Sequence, residues 1–169
     1  MKKNDCTVYG LNGVCRILDI VPSPFDPLDP RLYYVMKPLT GTENAMIYTP
    51  VAYGDSHFRP VMTQTEAMNV PALFRHVEII SVDNEKKRRD TYSRTLAEGT
   101  PLACIRILKT VAVRREEMAG QKKHLPDLDI KFEEKAKKCL YGELSVALQC
   151  TYGEVQNFFE SETIKTVAK

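Results

Sequence analysis

The sequence predicts an α+β protein: a small β-barrel domain over residues 1–62, then an all-α domain of about five helices over residues 63–169. Three observations predict it. Seven of the ten prolines fall in the first 62 residues, so the chain changes character near there. The first part holds four or five short apolar and aromatic stretches divided by turn residues, which suits a small barrel better than an open sheet. The second part repeats helix-capping signals ahead of apolar residues at helical intervals.

Residues 7–9 read as a short strand, and Asn12-Gly13 closes the following turn with the strongest short hairpin dipeptide. Residues 14–20 alternate apolar and polar over part of their length. Residues 22–30 hold four prolines, and proline cannot donate to a sheet ladder, so this stretch is a loop. Residues 32–36 and 45–49 follow as aromatic and apolar strands, separated by Pro38 and Gly41.

Thr63 and Glu66 have capping-box spacing and start a first helix that runs to about Arg75. Residues 77–82 form an apolar connector. Asp83 or Asn84 caps a second helix that ends before Gly99. Pro101 sits at the start of a third helix, whose apolar stripe is Leu102, Ile105, Leu108 and Ala112 and which ends near Gly120. Asp127 caps a long fourth helix with Phe132, Ala136, Leu140, Leu144 and Leu148 at steady intervals of four. Thr151 and Glu154 repeat the capping-box spacing before a short last helix through Phe159.

Composition narrows the function. Nothing approaches the ~18 apolar residues of a membrane span, and no apolar run follows Lys2-Lys3 to make a secretory signal. Five cysteines (Cys6, Cys15, Cys104, Cys139, Cys150), with no Cys-x-x-Cys pair, fit reduced cytosolic thiols rather than a disulfide scaffold or zinc ribbon. A cytoplasmic protein with no metal, cofactor or membrane partner is therefore expected, and a monomer is expected as well. His57, His76 and His124 are scattered, no glycine-rich phosphate loop occurs, and Ser56 lacks a nucleophile-elbow context. The carboxylate pairs Asp127/Asp129 and Glu133/Glu134 suit a cap and a solvated helix face. No catalytic residue is assigned, and an enzyme is not expected.

The formal net charge is only +2, yet basic residues cluster. Lys86, Lys87, Arg88 and Arg89 precede Arg94 on the second predicted helix, and Arg114-Arg115 end the third. On a helix, residues 87 and 94 share a face, as do 86 and 89. Such clusters neutralise phosphates. The neighbouring Glu85, Asp90, Glu116 and Glu117 leave an ordinary solvated face as the alternative. In the β part, residues 46–49, ended by Pro50, suit either an edge strand that accepts a partner's strand or an ordinary barrel strand.

Several ordered segments carry a resemblance. Val8-Tyr9-Gly10, Gly13-Val14-Cys15-Arg16-Ile17-Leu18-Asp19-Ile20, Tyr33-Tyr34-Val35-Met36-Lys37-Pro38-Leu39, Ile47-Tyr48-Thr49-Pro50-Val51 and Arg59-Pro60-Val61 resemble the RNA polymerase-interacting domain of the CarD/CdnL family of bacterial transcription regulators, a domain also found in transcription-repair coupling factor. Arg88, Leu96-Ala97-Glu98-Gly99, the third helix and Lys138-Cys139-Leu140-Tyr141-Gly142-Glu143-Leu144 are similar to that family's helical C-terminal domain. The resemblance implies a Tudor-like barrel whose edge strand binds the polymerase β subunit through Met46, Ile47, Tyr48 and Thr49, with Arg59 nearby. It also implies a helical domain that contacts promoter DNA without sequence specificity and modulates open-complex stability. The DNA contacts would be Lys86, Lys87, Arg88, Arg89, Arg94, Arg114 and Arg115.

Two departures qualify it. Many family members begin the DNA-contacting helix with a tryptophan that wedges at the bubble edge. This chain has no tryptophan, and Glu85 stands at the matching place. A carboxylate cannot replace lost base stacking, so a polymerase-binding module with little or no DNA contact stands as the alternative. Ile79 and Ile80 are the nearest apolar substitutes for a wedge. The proline-rich loop of residues 22–30 is also longer than the family's usual turn.

Overall fold

The computed structural model describes residues 1–40 and 45–167; Gly41, read above as a strand separator, lies outside them. The chain is α+β and divides into two compact units, Met1–Val61 and Met62–Lys169.

The first unit is an antiparallel half-barrel sheet with strand order β4-β3-β2-β1-β5. β1 (Cys6–Val8) and β2 (Val14–Pro22) form the hairpin expected from Asn12-Gly13, with Val8 opposite Val14. A single 3-10 turn, Gly10–Asn12, joins them, and Gly13 takes φ +70°, a conformation that costs glycine little. β2 runs against β3 (Leu32–Pro38) with a register shift between Ile17 and Asp19, a local irregularity that increases the coiling of the pair. Cys15, Ile17, Tyr34 and Met36 form the buried face, with Tyr9, Ile20, Ile47, Val51 and Phe58 packed on it.

Two features differ from expectation. The sheet is not a closed barrel among the described residues, because β4 (Ile47–Pro50) and β5 (Arg59–Pro60) stand at opposite ends of the strand order. A helix, α1 (Val51–His57), follows β4 directly, where the sequence carries no helical periodicity. Packing supplies it: Gly54 is buried, and a Cβ there would lie 2.7 Å from the Phe58 ring and 3.0 Å from the Tyr34 ring. The glycine lets α1 approach the rings that roof the sheet.

Among the described residues the second unit holds five helices. α2 (Gln64–His76) starts with the predicted capping box in full: Thr63 Oγ1 accepts from the Glu66 amide, and the Glu66 carboxylate accepts from the Thr63 amide. α3 (Glu85–Ala97) is capped by Asn84, whose side chain accepts from the Lys87 amide. It stops at Gly99, which takes φ +64°. α4 (Pro101–Gly120) packs against all four other helices of the unit, so its buried surface is wider than one stripe. Ala103, Cys104, Ile107 and Val111 join Ile105 and Leu108 inside, while Leu102 is about half exposed at 51%. At the interface with α5 (Asp127–Leu148), a hydrogen bond from Cys104 holds the Cys139 thiol below its usual pKa against the opposing effect of burial. Asp127 is not the cap of α5; Pro126 is, and Asp127 opens the first turn. α6 (Tyr152–Val167) runs past Phe159, so the last helix is longer than expected. The buried Glu143 of α5 accepts the Met62 amide at 2.9 Å, which fixes where the chain enters the bundle.

Gly54→Ala is expected to destabilise the sheet unit by roughly 1–3 kcal/mol, because the Phe58 ring has to leave its place between Tyr9 and Tyr34. Faster hydrogen exchange of the β3 amides is the readout; unchanged exchange would mean that the rings yield without cost.

Candidate functional site

Two surfaces gather the residues singled out in the sequence. In the helical unit, α3 presents Lys86, Lys87, Arg89 and Arg94 to solvent and turns Arg88, Tyr92, Thr95 and Leu96 inward. The division follows from the helical period: residues 88, 92 and 95 recur every three or four positions on one side, and the exposed cations occupy the other. Arg89 lies 3.7 Å from Glu85, an exposed i,i+4 pair that takes up part of its charge.

Arg88 does not belong to the exposed set. It is 2% exposed and reaches a carboxylate, Asp129, that is fully buried. Arg88 Nη2 donates to Asp129 Oδ2 at 3.3 Å, and its Nη1 donates to the carbonyls of Val82 and Asp83 at 3.3 and 3.1 Å. Tyr92 Oη donates to Asp129 Oδ1 at 2.8 Å. Arg114, also read above as a DNA contact, comes from α4 to the same oxygen, its Nε 3.3 Å away and its side chain 15% exposed. Neither the Arg88 nor the Arg114 Nε–H is aligned as a hydrogen bond, so charge proximity rather than a fork geometry holds this side of the cluster. Burial, then the bond to Asp129, pushes the Tyr92 hydroxyl well above its usual pKa.

These contacts correct the sequence reading. Arg88 and Arg114 are internal counter-ions, and a phosphate cannot reach Arg88 while this cluster stands. The driving force is Asp129: a buried carboxylate without partners is costly, and the first turn of α5 with its helix dipole offsets only part of that. Arg115 is half exposed and bonded to Glu133, which Lys137 also approaches at 3.2 Å. Ile80 is buried and its amide donates to Thr110 Oγ1 at 2.9 Å, so of the two apolar wedge candidates only Ile79 faces solvent. The sequence offered one signal for Asp129, an acidic residue two positions into a helix. That signal reads equally as a favourable charge at a helix start.

In the sheet unit, β4 is an end strand. Met36 pairs with Ile47, Val35 with Tyr48 and Tyr34 with Thr49, so the other side of β4 has no strand among the described residues. Met46 and Tyr48 are exposed, Ile47 is partly covered and Thr49 is buried at 2% exposure. Thr49 is therefore enclosed, backbone and side chain alike, and of the four predicted contact residues Met46 and Tyr48 are the ones openly presented. Arg59 lies on β5, the opposite end of the strand order, where its guanidinium donates to the Pro60 carbonyl and its own carbonyl accepts from Thr7 Oγ1.

Among the described residues no cluster of His, Cys, Asp and Glu has the makings of a metal site, and no helix is long and apolar enough to cross a membrane. No protein-family model matches the chain, and no curated protein matches it significantly.

Asp129→Ala is expected to destabilise the helical unit by roughly 3–5 kcal/mol, since it leaves two inward-facing guanidinium groups without their anion. Tyr92→Phe is expected to cost about 1 kcal/mol near pH 8. The Tyr92 pKa is raised on folding, so its contribution is complete below the unfolded value of 10.0 and is lost as pH rises towards the higher folded value. The gap between wild type and Tyr92→Phe should therefore narrow above about pH 10. Urea unfolding followed by far-UV circular dichroism measures both; a gap independent of pH would refute the raised pKa of the buried Tyr92 hydroxyl.

Proposed function

We propose that this chain is a bacterial transcription regulator of the CarD/CdnL kind, which binds the RNA polymerase β subunit through its sheet unit and contacts promoter DNA through α3 to modulate open-complex stability. The half-barrel sheet is read as a Tudor-like fold, and no catalytic step or cofactor is part of the proposal. The observation that carries it is the basic face of α3. Lys86, Lys87, Arg89 and Arg94 project outward from a helix whose inner side is pinned to α5 and packed on α4. That arrangement suits backbone phosphates, with non-sequence-specific contact and strong salt dependence. The ordered resemblance across both units supplies the polymerase partner.

The DNA-contacting set is accordingly narrower than the sequence suggested: Lys86, Lys87, Arg89 and Arg94, without the inward-turned Arg88 and Arg114 and without Arg115, which is bonded to Glu133. A second reading, a polymerase-binding module with little DNA contact, is favoured by two specific observations. Glu85 opens α3 where an apolar wedge would stand, and it pairs with Arg89.

Replacing Lys86, Lys87, Arg89 and Arg94 together with alanine is expected to weaken DNA binding at all sequences alike and to flatten its salt dependence, by roughly one unit of log–log slope per lost contact. Unchanged affinity in the folded variant would remove α3 from the interface. Open-promoter lifetime with bacterial RNA polymerase decides between the readings: a longer lifetime supports the regulator, whereas no change with polymerase bound supports the interaction module. For strand addition, adjacent residues of β4 point their amides alternately inward and outward, so Ile47→Pro and Tyr48→Pro are compared. Whichever leaves β3 exchange protection intact should abolish polymerase binding; retained binding would exclude strand addition there.

A further inference from the structure

The proline-rich loop and the end strand share one apolar surface. Phe25 is 70% exposed and Leu28 90% exposed, yet the loop that carries them is held in shape. Ser23 Oγ accepts from the amides of Phe25 and Asp26, and Asp26 Oδ1 accepts from the Leu28 amide at 2.9 Å. Asp29 takes a two-pronged bond from Arg31 and a third from the Tyr33 hydroxyl at 3.2 Å, which holds its carboxyl far below the usual range. Four prolines remove further freedom. The Phe25 ring stands edge-on to Tyr33 and to Tyr48, each with ring centroids 5.7 Å apart. Tyr48 is on β4, so the loop flanks the end strand directly.

The end strand is short and ends in Pro50, but it carries no charged guard. Natural sheet edges are commonly guarded by charged side chains, especially lysine. Residues 45–54 contain no charged side chain at all. A cleft of about 530 Å³ opens beside the strand, lined by Tyr9, Tyr48, Pro50 and Tyr53, with Arg31 at its side. Arg31 is already neutralised by Asp29. A strand edge with no strand beside it among the described residues calls for an extended chain, and the uncharged, aromatic lining calls for apolar side chains on it.

We propose that the loop of residues 22–30 and β4 together form a docking site for an extended segment of a partner protein. That segment carries uncharged aliphatic or aromatic residues at alternate positions, one seated in the Tyr9–Tyr48–Tyr53 cleft and another against Phe25 and Leu28. The proposal rests on strand addition at β4 and assigns the loop the role of selecting the partner's side chains.

The test compares wild type with Leu28→Ser and with Phe25→Ser/Leu28→Ser. Leu28 is almost wholly exposed, so its replacement leaves the fold intact, as β3 exchange protection checks. Two probes are used: purified RNA polymerase, and a displayed library of random eight-residue peptides. Polymerase binding weakened roughly tenfold in the double variant, and several-fold in Leu28→Ser, supports the loop's role. Equal binding by wild type and double variant overturns it and leaves strand addition standing. If polymerase does not bind wild type, the polymerase reading falls. The docking proposal then stands if the library yields alternating apolar peptides that the double variant loses, and falls if it yields none. A concentration-dependent dimer abolished by Phe25→Ser/Leu28→Ser would make a second copy the occupant and overturn the proposed partner.

Discussion

One buried carboxylate organises the helical unit. Asp129 receives Arg88 and Tyr92 from α3 and Arg114 from α4, and Arg88 also grips the carbonyls of Val82 and Asp83 ahead of α3. One side chain thus ties three helices and a connector. Its effect is mainly directional. A buried ion pair adds little net stability over a well-packed apolar alternative, but removing one member leaves the others uncompensated, so the helices are held to one arrangement. With Arg88 and Tyr92 fixed inward, the helical period leaves Lys86, Lys87, Arg89 and Arg94 no direction but outward.

The sheet unit is built on a different constraint. Its core is small, centred on Cys15, Ile17, Tyr34 and Met36, and depends on aromatic rings: Tyr9 and Tyr34 close on Phe58, and Gly54 gives α1 room to follow β4 at once. α1 packs on β3 and β4, while β5 is only two residues long, and among the described residues the strand order leaves β4 at one end. A short, uncharged end strand beside a stiff loop bearing exposed Phe25 and Leu28 is poorly placed for a protein that never meets a partner, and well placed for one that does.

Legibility from sequence tracked how local each signal was. The Thr63/Glu66 box, the Asn84 cap, the Gly99 stop and the Asn12-Gly13 hairpin each involve a few adjacent residues and a backbone need that only certain side chains meet. The proline loop was legible for the same reason. α1 was not, because its seven residues have no helical pattern and it forms by packing Gly54 under the Phe58 and Tyr34 rings. The exposure of Leu102 was missed because α4 is surrounded by four helices, and a single stripe does not describe a helix buried on most sides.

The basic cluster marks the limit most clearly. Sequence alone determined that cations concentrate on α3 and at the end of α4, since charge and helical phase are local quantities. It could not tell Arg88 from Lys87 or Arg89, because a guanidinium looks the same whether it faces water or a carboxylate 41 residues away. Only the tertiary structure decided that, by bringing the first turn of α5 beneath α3 and α4. A buried Asp129 draws its nearest cations inward, and what remains outside is the surface available to a phosphate backbone.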